Sequence, residues 1–167
     1  MFFVTDVSRL LMKTKYKINL AIILTLFTFF FDQLTKYIVI QNIDVLSKNV
    51  EIFSGIKLVY VENKGIGFGI FSELDIPFYL GILSFVISFY IILLIVKSSS
   101  ILEIVSLSFI LGGALGNGID RLFVGYVIDF IDIYYGEFHW PAFNLADSFI
   151  TVGAFLFVLY AVKKKKN

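Results

Sequence analysis

Apolar residues in this chain collect into four blocks, to be set against the roughly 20 residues an α-helix needs to cross about 30 Å of hydrocarbon. The blocks cover residues 18–40, 76–96, 101–117 and 146–162. The first is apolar as far as Phe31 and is then broken by Asp32 and Lys36, which are four apart and so share one helix face. The second carries no charge, and the third has Glu103 at its start. The fourth is short, but lysines beyond it can snorkel and extend its reach. This pattern predicts an integral membrane protein, mainly α, with four transmembrane helices.

Basic residues ahead of the first block also fit a cleavable signal peptide. No small-x-small site follows Phe31, however, and Asp32 and Lys36 continue a helical spacing, so the block is read as a retained helix. Charge then orients the spans. The N-terminal tail, the loop after the second block and the C-terminal tail hold nine basic residues against the acids Asp6 and Glu103. Everything else holds five basic and eleven acidic residues. The positive-inside bias places both termini in the cytoplasm and the two longer connecting segments outside.

Those outer segments are not plain linkers. Residues 49–61 (NVEIFSGIKLVYV) are rich in β-branched and aromatic types with partial alternation, interrupted at Ser54 and Gly55, which predicts a hairpin or bent ribbon. Gly65, Gly67 and Gly69 follow and mark a turn where backbone passes close to something. Residues 127–135 (VIDFIDIYY) have an extended pattern around Asp129. Two such ribbons at the membrane surface are placed to cradle an extended peptide.

Composition agrees with lipid as the solvent. Hydrophobic residues make up 59% of the 167 and charged residues 16%, with mean hydropathy +0.90. Soluble domains are nearer half apolar and a quarter charged, and one domain of this length has no core large enough to hide the excess. Residues 15–162 read as one membrane domain, preceded by an extension over 1–14 and followed by a basic tail over 163–167. A net charge of +1 argues against a nucleic-acid partner. The absence of cysteine excludes a disulfide, a thiol nucleophile and a Cys-ligated metal.

Ionisable groups near a bilayer are costly, about 2.5 to 3.5 kcal/mol each at a helix centre, so each needs a reason. Here they collect at one end of the first, third and fourth blocks. Asp32 and Lys36 read as an ion pair at the headgroups or as a direct substrate contact. In GGALGNGIDR (112–121), Gly112 and Gly116 form a small-xxx-small face for a neighbouring helix. Asn117 and Arg121, one turn apart, put an amide and a guanidinium on one side, with Asp120 as a supporting partner beside Arg121. Asp129 and Asp147 are 18 residues apart and share no helix face. In PAFNLADS (141–148) Asn144 can cap the fourth helix with Asp147 in a capping-box position, so Asp147 reads equally as a cap and as a catalytic acid. Asp129 reads as a solvated loop carboxylate or as its partner.

Other chemistries are poorly supplied. The single histidine, His139, has no HExxH motif around it, so no zinc site is expected. A serine triad would need the same His139 and a GxSxG elbow that the chain lacks. GIGFG (65–69) has no Lys-Ser/Thr of a phosphate loop. Carboxylates are the catalytic groups that remain.

Five blocks, in order and covering nearly the whole chain, resemble the lipoprotein signal peptidases (signal peptidase II), aspartyl enzymes of bacterial cytoplasmic membranes. They are FDQLTKYIV (31–39), ENKGIGFGIF (62–71), GGALGNGIDRL (112–122), VIDF (127–130) and PAFNLADSFITVG (141–153). The resemblance implies a small helix bundle with an extracytoplasmic β-cradle. It implies that Asp129 and Asp147 are the catalytic dyad and that Asn63, Asn117, Arg121 and Asn144 bind substrate, with Asp32, Lys36 and Asp120 in support. The implied substrate is a prolipoprotein whose lipobox cysteine carries diacylglycerol, cut just before that cysteine at the outer face, by a monomer with no metal or other cofactor. Ile66 and Gly118 depart from the family pattern, at positions expected to reshape the substrate groove.

Two other function classes fit four helices with membrane charges. A small ion or proton-coupled transporter would use Asp32, Lys36, Asp129 and Asp147 as a relay, and calls for charges near mid-membrane. A non-catalytic assembly factor would dock a partner through Gly112 to Gly116, and would tolerate loss of the aspartates.

Overall fold

The computed structural model of the protein describes residues 2–65 and 76–166, with side chains from residue 15 to 165. Four long helices, α1 (Phe2–Gln41), α3 (Pro77–Lys97), α4 (Ile101–Phe123) and α5 (Leu145–Lys166), form a bundle, and a short α2 (Ile43–Leu46) follows α1. All four long helices are apolar enough over sufficient length to cross a membrane. Proline at its first turn starts α3, where a missing N–H costs nothing, and Lys97 in its last turn suits the negative end of the helix dipole.

The bundle is built around α4, whose apolar window is 56% buried against 11–22% for the other three. It packs on α1, α3 and α5 together, and its glycines allow each approach. A side chain at Gly112 would strike Thr28 of α1, at 2.6 Å from a Cβ, and one at Gly116 would strike the carboxylate of Asp32. These two are the face expected from their spacing. Gly113 looks instead at α5, 2.6 Å from the carbonyl of Ala146. One apolar core, of Ala21, Ile91, Ile95, Ile104, Leu107 and Leu111, ties α1, α3 and α4. The other helix faces are apolar and exposed, as lipid requires.

Two spans run further than hydropathy suggested. The third continues past Asn117 to Phe123 because the buried Asn117, Gly118 and Asp120 pack against neighbouring elements there. The fourth continues through its lysines to Lys166.

Between the helices lies a four-stranded antiparallel sheet in the order β1 (Val50–Phe53), β2 (Ile56–Asn63), β3 (Val127–Tyr135), β4 (Phe138–His139). The expected ribbon in residues 49–61 is the β1–β2 hairpin, turning at Ser54 and at Gly55, whose φ of 94° favours glycine. The extended pattern after Val127 is β3. Strand β2 is irregular. Leu58 stands opposite Ile131, but Val61 opposite Asp129 and Asn63 opposite Val127, a slip of one residue. Val39, Leu46, Ile128 and Phe130 form a second core that fastens the sheet to α2 and the end of α1. After β4 the chain runs back beside β3, with Trp140 N donating to Ile133 O (2.7 Å) and Phe143 N to Ile131 O (3.1 Å). It therefore enters α5 directly beside Asp129. Gly67, Gly69 and Ile66 lie outside the described residues.

Candidate active site

The site is assembled where the start of α5, the far end of α4, the second half of α1 and the inner end of the sheet converge. Asn144 is the residue before α5, and its carboxamide Oδ1 accepts the backbone N–H of Asp147 (3.0 Å). Asp147 Oδ2 in turn accepts the backbone N–H of Asn144 (3.2 Å), which closes a reciprocal capping box. The cap expected from spacing is thus real, and it also aims the carboxylate. The carboxylate accepts a second bond at Asp147 Oδ1, from Asn117 Nδ2 of α4 (2.8 Å).

Asp129, on β3, is reached by the same asparagine. Asn144 Nδ2 donates to Asp129 Oδ1 (2.7 Å), and Asn63 Nδ2 at the end of β2 donates to Oδ2 (2.8 Å). One residue, Asn144, therefore holds both carboxylates, although they are 18 positions apart. Asp129 is 2% exposed. Burial, and then the negative charge of Asp147, push its pKa up to about 6, against the bonds from Asn63 and Asn144 and the charge of Lys36. Asp129 is not the solvated loop carboxylate that one reading allowed.

Behind the pair lies a buried ionic cluster. Lys36 donates to Asp32 Oδ2 (2.8 Å) and Asn117 Oδ1 (2.8 Å) and forms a second ion pair with Asp120 Oδ2 at 2.6 Å. Asp32 Oδ1 accepts the backbone N–H of Ala146 (2.9 Å), placing an anion at the positive end of α5. The Asp32–Lys36 pair expected at the headgroups is instead sealed between helices, at 0% and 2% exposure. Asp120 supports Lys36 and not its neighbour Arg121. Arg121 donates to the carbonyls of Asn117 (3.3 Å) and Gly65 (2.9 Å). Gly65 N donates to Asn63 Oδ1 (2.9 Å), so Arg121 braces the turn that carries Asn63.

Asn63, Asp129 and Asp147 line one groove of about 780 Å³, walled by Tyr135, Phe138 and Trp140 from the sheet and by Ile150 and Val152 of α5. Its lining is mostly apolar, with Asn63, Asp129, Asp147, Ser148 and Thr151 as polar members. No group of three or more histidine, cysteine, aspartate or glutamate side chains that could hold a metal ion occurs among the described residues.

The profile of the family described as signal peptidase (SPase) II matches residues 24–163. The chain belongs to the signal peptidase II family. It is 44% identical over 151 residues to the lipoprotein signal peptidase of Thermodesulfovibrio yellowstonii, covering 89% of this chain and 97% of that one. It is 36% identical over 157 residues to that of Pasteurella multocida, covering 91% and 94%. Two solved structures described as bacterial membrane enzymes, at 2.3 and 1.9 Å resolution, superpose with TM-scores of 0.78 and 0.74 at 30% and 31% identity. They cover 89% and 87% of this chain and 90% and 94% of their own.

For a signal peptidase II, the expected site residues Asp32, Lys36, Asn63, Asn117, Asp120, Arg121, Asp129, Asn144 and Asp147 stand in one connected region. One member was not foreseen. Gln33 Nε2 donates to Asp120 Oδ1 (3.0 Å) and Asp32 Oδ2 (3.2 Å), joining two carboxylates that share Lys36. Its position inside FDQLTKY, beside Asp32, was the only signal. Gly118 is a correction. It faces α3, where a Cβ would come within 3.0 Å of Ser84 Cβ and 3.3 Å of Phe85, so it sets helix packing and does not shape the groove.

Proposed function

We propose that Asp129 and Asp147 are the catalytic pair with which this signal peptidase II removes signal peptides from prolipoproteins, cutting before the diacylglyceryl-modified cysteine. The observation that carries the assignment is the bridging of both carboxylates by Asn144 in a mostly apolar groove that the two aspartates line. Two acids sharing a site do not ionise independently, and burial beside the charge of Asp147 raises the pKa of Asp129. Asp147, whose oxygens face N–H donors from Asn117 and Asn144, is arranged as an acceptor.

In the reaction, ionised Asp147 takes a proton from water as its oxygen attacks the scissile carbonyl, and protonated Asp129 donates to the carbonyl oxygen. The tetrahedral intermediate collapses as the proton on Asp147 passes to the departing amine of the lipidated cysteine. The C–N bond breaks, the signal peptide leaves with a new carboxylate, and Asp129 recovers its proton from the hydroxyl it had been hydrogen-bonding. Asn63, which lines the groove, holds the extended substrate backbone beside the pair. Asn117 and Asn144, expected to bind substrate, are buried with their amides committed to aiming the carboxylates, and Arg121 braces the turn that carries Asn63. Asp32, Lys36 and Asp120 hold that scaffold from behind. The reaction as written draws on no metal or other cofactor, and one copy of the chain holds every group it uses.

The protein is a multi-pass protein of the bacterial inner membrane. The charge asymmetry supports cytoplasmic termini and a site at the extracytoplasmic face, with residues 15–162 as the enzyme body, 1–14 as an extension, 163–167 as a cytoplasmic tail and no nucleic-acid partner. A transporter has no support, because the charges gather at one end of the bundle. The test is purified protein in detergent incubated with a diacylglyceryl-modified prolipoprotein, with precursor and product resolved by gel. Cleavage is expected for wild type and lost in Asp129→Asn and Asp147→Asn. An equally cleaved unlipidated control would remove the lipid requirement, and a fully active single variant would remove the pair.

A further inference from the structure

The groove wall contributed by the sheet is held from its back by groups that take no part in the proposed chemistry. Strand β4 is two residues long, paired only as Tyr134 with His139 and Tyr135 with Phe138, too short to be stable on ladder bonds alone. His139 Nδ1 lies 2.8 and 3.0 Å from the two oxygens of Asp132, and its ring stacks on Tyr134 at 5.3 Å and 16°. Lys57 of β2, the cross-strand neighbour of Asp132, sits 4.1 Å above the same tyrosine ring. Tyr134 donates its hydroxyl to Glu51 of β1 (2.6 Å). One cluster thus ties all four strands. Phe138 and Trp140, the residues flanking His139, line the groove, and His139 and Asp132 do not.

We propose that His139 and Asp132, stacked through Tyr134, form a clasp that positions the hairpin wall against which the signal peptide lies, making them positioning residues for substrate binding. Two ionised oxygens facing one ring nitrogen require Nδ1 to carry the hydrogen, so the bond holds the ring at a fixed angle against Tyr134. Tyr134 itself lines the groove, which transmits that angle to the wall. The aromatic side chains Tyr135 and Phe138 are 88% and 68% exposed, so little else packs them in place. Removing the clasp therefore loosens the wall while the buried scaffold around Asp129 and Asp147 stays intact.

The inference rests on the groove being the substrate site, and its test separates the two. Trp140 is the single tryptophan of the chain and lies in the wall, so its emission reports occupancy without any cleavage. The probe is a synthetic lipobox peptide carrying S-diacylglyceryl cysteine with an N-methylated scissile amide. If this peptide leaves Trp140 emission of the wild type unchanged, the groove assignment fails before the clasp is addressed. With wild-type binding established, His139→Ala and Asp132→Ala are expected to raise Kd and KM about five-fold each, with kcat within about two-fold, the scale of one partly exposed ion pair.

The double variant should be no weaker than either single, because both remove one interaction. His139→Asn, whose Nδ2 occupies the place of the histidine Nδ1, should restore most of the affinity if folding alone is not at issue. A fall in kcat at unchanged KM, multiplicative effects in the double variant, or no rescue by asparagine would each overturn the clasp.

Discussion

Two sides of one groove are held by opposite means. The platform formed by α1, α4 and α5 is buried and ionic, and Lys36 donates to Asp32 and Asn117 and pairs with Asp120 as well. The facing wall of β3 and β4 is exposed and aromatic, joined by two ladder positions and a surface cluster. The chemistry needs two carboxylates at a constant spacing, which a closed network of short bonds provides. On the proposed reading, a wall of exposed rings accommodates signal peptides that share apolar character more than exact sequence.

The largest effect should come from the platform's two acids. Asp129→Asn and Asp147→Asn should lower cleavage at least about 10²–10⁴-fold, the range of a positioned acid or base, in protein that still inserts into membranes. Lys36→Met should be the most destabilising single change, about 3–5 kcal/mol, since it leaves Asp32 and Asp120 buried without their cation. Thermal unfolding in detergent would show it. Phe138→Ala across the groove should change stability by less than about 0.5 kcal/mol, as for other exposed positions. If the two substitutions prove equally disruptive, the contrast between the sides is wrong.

A pH profile tests the same contrast from within the platform. Asp129, raised to about 6, is neutral below that value and can donate to the substrate carbonyl. Above it both acids are charged, so kcat/KM of the free enzyme should fall about tenfold per pH unit. The limb in kcat should lie higher, because an apolar peptide in the groove further disfavours the anion. The sign for stability follows. A carboxyl whose folded pKa is raised contributes stability at low pH that is lost as pH rises through about 6, so Asp129→Asn should flatten that decline. Gly118→Ala should cost about 1 kcal/mol of stability from contact with Ser84 and Phe85, with peptide preference unchanged.

What was legible in the sequence followed how local each signal is. Hydropathy marked all four spans, the Asn144–Asp147 cap was readable from a three-residue spacing, and Asp32 with Lys36 from a four-residue one. The other partners of Lys36 were not readable, because Asn117 and Asp120 lie more than 80 residues away and only packing across Gly112 and Gly116 brings them there. Packing between elements likewise hid Gln33 and its contact with Asp120, the reach of Asn144 to Asp129, and the outward aim of Gly118 toward α3. Resemblance selected Asp129 from eleven acids on that side, a choice that periodicity had left open.

The slip in β2 has a consequence for how this outer segment tolerates change. Had pairing continued unbroken from Leu58 and Ile131, Glu62 would stand opposite Val127 in place of Asn63. A third acid would then press on Asp129 where an amide now donates. Inserting a single residue between Leu58 and Val61, with the slip kept at one, puts Glu62 opposite Val127 and crowds the proposed reaction centre with negative charge, whereas deleting one removes the slip and keeps Asn63 in place. A strand that looks free to lengthen is, at that one point, a reading frame for the proposed chemistry.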